Sequence, residues 1–84
     1  MPGSEAIVTL YGRPGCHLCD EARDAIVALA GSEIDLNEVD IESEEGLLKR
    51  YLERIPVVEV NGRVVSELVF DRDAFASALH TVGP

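Results

Sequence analysis

The chain has 84 residues, 46% of them apolar, and 7 basic against 16 acidic residues leave a formal net charge of −9. A single domain over residues 1–84 is expected, because domains commonly run to roughly 100–150 residues and a chain this short must use its whole core. The apolar content argues against disorder, the acidic balance argues against nucleic-acid binding, and no apolar run approaches the roughly 20 residues that span a bilayer. Met1-Pro2-Gly3-Ser4-Glu5 lacks the basic and apolar segments of a secretory leader, so a cytoplasmic location is expected.

Ala6 to Tyr11 is rich in β-branched and aromatic residues and reads as a buried strand, broken by Gly12-Arg13-Pro14-Gly15. From Leu18, between the cysteines, onward, Leu18, Ala22, Ala25, Ile26 and Leu29 recur at helical spacing, and Gly31 stops the helix. Ile34 to Ile41 alternates as a strand should, but its phase slips once. A bulge near Asn37, or a strand that starts only at Glu38, would reconcile the two halves. Seven acids and no base lie between Glu33 and Glu45, either a solvated face or a docking patch for a basic partner. Ser43 is expected to cap a short helix carrying Leu47, Leu48, Tyr51 and Leu52 on one side, which must end before Ile55-Pro56. Asn61-Gly62 between two β-rich runs predicts a type I′ hairpin. Asp71 is placed to cap a last helix, with Phe70 and Phe75 as a hydrophobic staple. Phe75, Ala78, Leu79 and Val82 form its inner stripe, and Gly83 ends it. The order βαβαββα predicts an α/β fold, a four-stranded mixed sheet flanked by three helices, with a right-handed crossover between the first two strands.

Cys16 and Cys19 are the only cysteines. Two cysteines placed at random in such a chain fall three apart about 2% of the time, so the spacing is a signal. A disulfide across so short a loop adds little stability through chain entropy, which points to chemistry rather than stapling. Cys16 opens the first helix, where unpaired N–H groups and the helix dipole favour a thiolate. An unperturbed cysteine is only about 3% thiolate at pH 7, and the thiolate is the nucleophile in disulfide exchange. Cys16 is therefore expected to attack an external disulfide, and the more enclosed Cys19 to resolve the mixed disulfide. Arg13 adds positive potential near Cys16, whereas Asp20 and Glu21 oppose it. His17 either supports the thiolate when protonated or is a solvated side chain on the outer side of the first turn. His80, in the last turn of the last helix, suits the negative end of the dipole.

With Cys-x-x-Cys at a strand-to-helix junction, Ile-Pro before a hairpin and this order of elements, the chain resembles the glutaredoxin branch of the thioredoxin-fold superfamily from Ile7 to about Leu79. Arg13-Pro14-Gly15-Cys16-His17-Leu18-Cys19 is similar to the family's Lys-Pro-x-Cys-Pro-Tyr-Cys, and Ile55-Pro56-Val57 to its Val-Pro segment. The resemblance implies a thioredoxin-like fold and a protein disulfide oxidoreductase. It further implies that Pro56 is cis and faces the cysteines, and that the Ile55 backbone pairs with an extended substrate chain. The implied partners are a disulfide-containing protein or a low-molecular-weight thiol, with a reductase or thiol donor to restore the dithiol. No bound cofactor, no nucleic acid and no membrane are expected, and the domain is expected to be a monomer. Two departures stand out. His17-Leu18 replaces Pro-Tyr, and Ser66-Glu67-Leu68-Val69-Phe70-Asp71 replaces the Gly-Gly and following Asp that hold glutathione. Asp71 matches the acid and Arg13 suits a glutathione carboxylate, but the close backbone approach that glycine permits is missing. Glutathione as co-substrate and a thioredoxin-reductase-type or other donor are thus both compatible. Two other classes remain open: a thioredoxin-fold adaptor that recruits a partner through its acidic surface, and a metal or iron–sulfur module with Cys16 and Cys19 as half of the site.

Overall fold

A computed structural model describes residues 6–80. The central strand β1 (Ala6–Gly12) pairs in parallel with β2 (Ile34–Asp40) and antiparallel with β3 (Val57–Val60), which pairs antiparallel with β4 (Arg63–Glu67). The sheet order is β2-β1-β3-β4, flanked by α1 (His17–Ala30), α2 (Glu45–Tyr51) and α3 (Arg72–His80). This is the predicted α/β architecture. None of the described helices is long and apolar enough to cross a membrane.

Alternation along β1 sends Ala6, Val8 and Leu10 to one face, where Ala22 and Ile26 of α1 and Phe75 of α3 cover them together with Val58 and Val60. On the other face α2 brings Tyr51 and half-buried Leu47 and Leu48 over Ile41, Val57 and Tyr11. This division explains the phase slip of β2. Its register runs unbroken from Ala6↔Ile34 to Gly12↔Asp40, so the expected bulge near Asn37 is absent and the strand does not wait for Glu38. Ile34 and Leu36 serve the first cluster, while Ile41 lies past the strand in a short 3-10 turn and serves the second. The apolar residues change face because the opposite face is covered there. A register shift occurs instead opposite Val58 and Glu59, which pair with Ser66 and Val64, so that Val65 is the extra residue of β4 and packs on the first cluster.

Three other expectations are corrected. The buried face of α1 is Cys19, Ala22, Ile26 and Ala30, whereas Leu18 and Leu29 are exposed. The small alanines let the helix lie close to the sheet, so its inner face follows Cys19 rather than the bulkier leucines. Ser43 does not cap α2: its hydroxyl donates to Asp40 O at 2.7 Å, and Glu44 is the cap residue without a side-chain hydrogen bond. Asp40 has the capping role instead, accepting the Glu42 N–H at 2.8 Å to start the 3-10 turn. Leu52 falls just beyond α2 and is exposed.

The local signals around the hairpin and last helix are met. Asn61 and Gly62 have φ 51 and 86, as a type I′ turn requires. Asp71 Oδ1 accepts the Ala74 N–H at 3.0 Å, and the Phe70 and Phe75 rings lie 5.4 Å apart. Val82 and Gly83 lie outside the described residues.

Candidate active site

The site sits at one end of the sheet. Register places Val39, Tyr11, Val57 and Glu67 side by side across the four strands. From that row β1 leads out to the cysteines, Ile55-Pro56 leads into β3, and β4 leads out to Leu68. The cysteine loop and the proline loop are thus neighbours because β1 and β3 are adjacent and antiparallel.

Past Gly12, a turn is closed by the Cys16 N–H donating to Arg13 O at 3.2 Å, with Gly15 at φ 81, where a side chain would be strained. Cys16 is the cap residue of α1, extended at φ −86 and ψ 107, and its Sγ accepts the Cys19 N–H at 3.2 Å. The helix amide that would stabilise a thiolate thus points at this sulfur. Cys16 and Cys19 are joined in a disulfide, their Cα atoms 5.2 Å apart. Cys16 is partly buried, whereas Cys19 is 6% exposed and belongs to the buried face of α1. Gly12 accounts for how Cys19 fits: a Cβ there would stand 2.9 Å from its Sγ. In the sequence alone Gly12 reads only as a strand breaker. A small open cavity, of about 270 Å³, borders Cys19 and is lined also by Arg13, Asp20, Glu38 and Asp40.

The other candidate residues are distributed as follows. The Arg13 guanidinium pairs with Glu42 at 3.2 Å, so its charge is shared with the acidic segment that follows β2. His17 is 85% exposed at its side chain and lies 2.9 Å from the Glu21 carboxylate, on the solvated outer side of the first turn. His80 is exposed at the end of α3. The Ile55-Pro56 bond is cis, as the resemblance implies, and Pro56 is buried. The Ile55 N–H is engaged within the chain, donating to Tyr51 O at 3.0 Å. Beneath this loop, Tyr51 stacks on Tyr11 with ring centroids 4.6 Å apart, and both phenols reach the Glu59 carboxylate, at 3.5 Å and 3.4 Å. Burial and the Glu59 charge hold the Tyr11 phenol above its ordinary range.

Sequence reading also missed the turn after β4. Leu68 has φ 67, and its N–H donates to both Arg54 O at 3.0 Å and Pro56 O at 3.1 Å, which ties the turn to the proline loop. No local signal announces it, because leucine seldom adopts that conformation.

Similar structures define the class. A mutant thioredoxin from Halobacterium salinarum superposes with a TM-score of 0.67 at 17% identity, over 95% of this chain and 76% of that one. The fold is thioredoxin-like. Protein Ne2328 of Nitrosomonas europaea gives a TM-score of 0.78 at 27% identity, over 88% of this chain and 91% of that one. Structural genomics target protein XcR50 from X. campestris gives 0.71 at 33% identity, over 88% and 96%. No curated protein matches the chain. Residues 7–80 match the glutaredoxin-like domain (DUF836), and the chain belongs to that family. A Cys-x-x-Cys pair at disulfide distance in this fold supports a redox role.

Proposed function

We propose that the protein is a thiol–disulfide oxidoreductase with Cys16 as nucleophile and Cys19 as resolving thiol. The observation that carries this reading is the unequal setting of the two bonded sulfurs. Cys16 is only partly buried at the helix start and accepts a backbone N–H, whereas Cys19 is buried one turn on. In the reduced protein the Cys16 thiolate attacks one sulfur of a substrate disulfide, forming a mixed disulfide and expelling the other sulfur as a thiolate that takes up a proton. Cys19, once deprotonated, attacks the Cys16 sulfur, restores the internal disulfide and expels the second substrate thiolate. Two electrons and two protons pass to the substrate in all, and an external dithiol or thiol donor restores the reduced pair.

Arg13 and His17 flank Cys16 on one side of the substrate groove, and Ile55 and Pro56 form the opposing wall. The substrate is a protein disulfide or a low-molecular-weight disulfide, acted on by a cytoplasmic monomer with no bound cofactor. Cys16→Ser should abolish disulfide reduction, and Cys19→Ser should accumulate a mixed disulfide detectable by intact mass. Full turnover by Cys16→Ser would overturn the reading, and partner binding and biological activity left unaltered by that substitution would favour an adaptor in which the cysteines are incidental.

A further inference from the structure

The turn between β4 and α3 displays apolar side chains from a backbone that its sequence does not favour. Leu68 occupies the left-handed region at φ 67, where residues other than glycine and asparagine are uncommon. Its neighbours hold it there. The Leu68 N–H is shared between Arg54 O and Pro56 O, and the Arg54 guanidinium pairs with the Glu67 carboxylate. From beneath, the buried Ser66 hydroxyl donates to Val69 O at 3.3 Å and accepts the Asp71 N–H at 2.9 Å. The side chains so presented are 51% exposed at Leu68 and 72% exposed at Val69. Strain kept by surrounding bonds concentrates at sites that meet a partner.

Register places this turn at the functional end of the sheet. Glu67 pairs with Val57 and Val57 with Tyr11, so Leu68 leaves the same row from which Gly12 leads to Cys16. Leu18, inside the Cys-x-x-Cys, adds another exposed apolar side chain at the start of α1. Two cations near the site are ion-paired, Arg13 with Glu42 and Arg54 with Glu67. The Asp71 carboxylate is committed to the Ala74 N–H. A small anionic thiol such as glutathione therefore meets committed charges and a net charge of −9, whereas an extended protein segment can lay an apolar side chain over Leu68 and Val69.

We infer that Leu68 and Val69 are specificity-determining residues that select substrate disulfides flanked by apolar side chains in an extended protein segment, in preference to glutathione. The inference rests on the oxidoreductase reading above. Two peptides test it, each carrying one cysteine disulfide-bonded to free cysteine, with leucine and valine beside the peptide cysteine in one and serines in the other. With dithiothreitol as the reductant, kcat/KM for the apolar peptide should exceed that for the polar one by about tenfold. Leu68→Gly and Val69→Ser should each lower kcat/KM for the apolar peptide by several-fold, and together by about tenfold, chiefly through KM. Leu68→Gly relieves the left-handed residue, so its Tm should hold or rise, which separates a recognition role from a folding role.

Equal turnover of the two peptides by the unaltered protein would overturn the inference and leave the oxidoreductase reading intact. So would a preference that survives in the double variant, or oxidised glutathione turned over faster than the apolar peptide. A protein that reduces neither peptide nor oxidised glutathione would overturn the underlying reading itself.

Discussion

Cys19 Sγ lies so close to Gly12 that a Cβ on that glycine would stand 2.9 Å from the sulfur and 3.1 Å from the Cys19 Cβ. The last residue of β1 is thereby matched to the buried half of the disulfide. Neither atom of Cys19 is the free end of a flexible side chain, so an added methyl must displace α1 or the strand. Gly12→Ala should destabilise the oxidised protein by about 1–3 kcal/mol, the usual range for overpacking a well-filled site. Urea unfolding under non-reducing conditions checks this. An unchanged midpoint would show that α1 is free to shift.

The unequal exposure of the two sulfurs should appear as unequal reactivity. In the reduced protein near pH 7, Cys16 should alkylate faster than Cys19 by about tenfold or more, since reactivity follows thiolate character and access. Mass mapping after a short iodoacetamide pulse reads this directly. Faster labelling of Cys19 would reverse the assigned roles.

The Tyr11 phenol carries a pH signature. Burial first, and the Glu59 charge second, raise its pKa above the ordinary value of 10.0. The folded state thus keeps its proton where the unfolded state has released it. The stabilisation is complete below the ordinary tyrosine value and is lost as pH rises from there through the raised folded value. Tyr11→Phe should flatten this alkaline loss, measured by urea midpoints at about pH 8 and about pH 10.5. An identical alkaline slope in the variant would remove Tyr11 as its source.

At the opposite pH limit, the Arg54 guanidinium hydrogen-bonded to Glu67 holds that carboxyl below its ordinary range. Its contribution is present above the unfolded carboxyl value and disappears as pH falls through the lowered folded value. Glu67→Gln should therefore differ from the unaltered protein at neutral pH and converge with it in acid. Because the pair is exposed the difference should be small, and salt should reduce it. A difference that grows toward low pH would contradict the assignment.

Asp71 closes the first turn of α3 through the Ala74 N–H, and the wholly buried Phe75 one residue further on couples that turn to the core. Asp71→Ala should cost about 1 kcal/mol, and Asp71→Asn, which keeps an accepting oxygen, clearly less. Equal losses in the two variants would show that the cap oxygen is not what matters.

Features written by neighbours in the chain were legible in the sequence. Asn61-Gly62 requires positive φ in a two-residue turn, Asp71 stands one residue before its helix, and a cysteine pair three apart follows a glycine-rich break. Each depends on bonds within a few residues, so residue type and spacing suffice. The unbroken register of β2, the inner face of α1 and the pairing of Arg13 with Glu42 were not legible. They depend on which face α2 covers, how near the alanines bring α1 to the sheet, and which carboxylate β2 delivers beside the cysteine loop.

The same boundary runs through the site. The amino-acid order alone determined that two thiols would share the first turn of a helix after a strand, because a helix start is a local event. Only the tertiary structure decided that Gly12 would accommodate the inner sulfur, that the strand entered through Ile55-Pro56 would pair with the strand leading to the cysteines, and that Leu68 would be held outward at positive φ. Each of those outcomes is enforced by groups distant in the chain, brought together when β1, β3 and β4 align across the sheet.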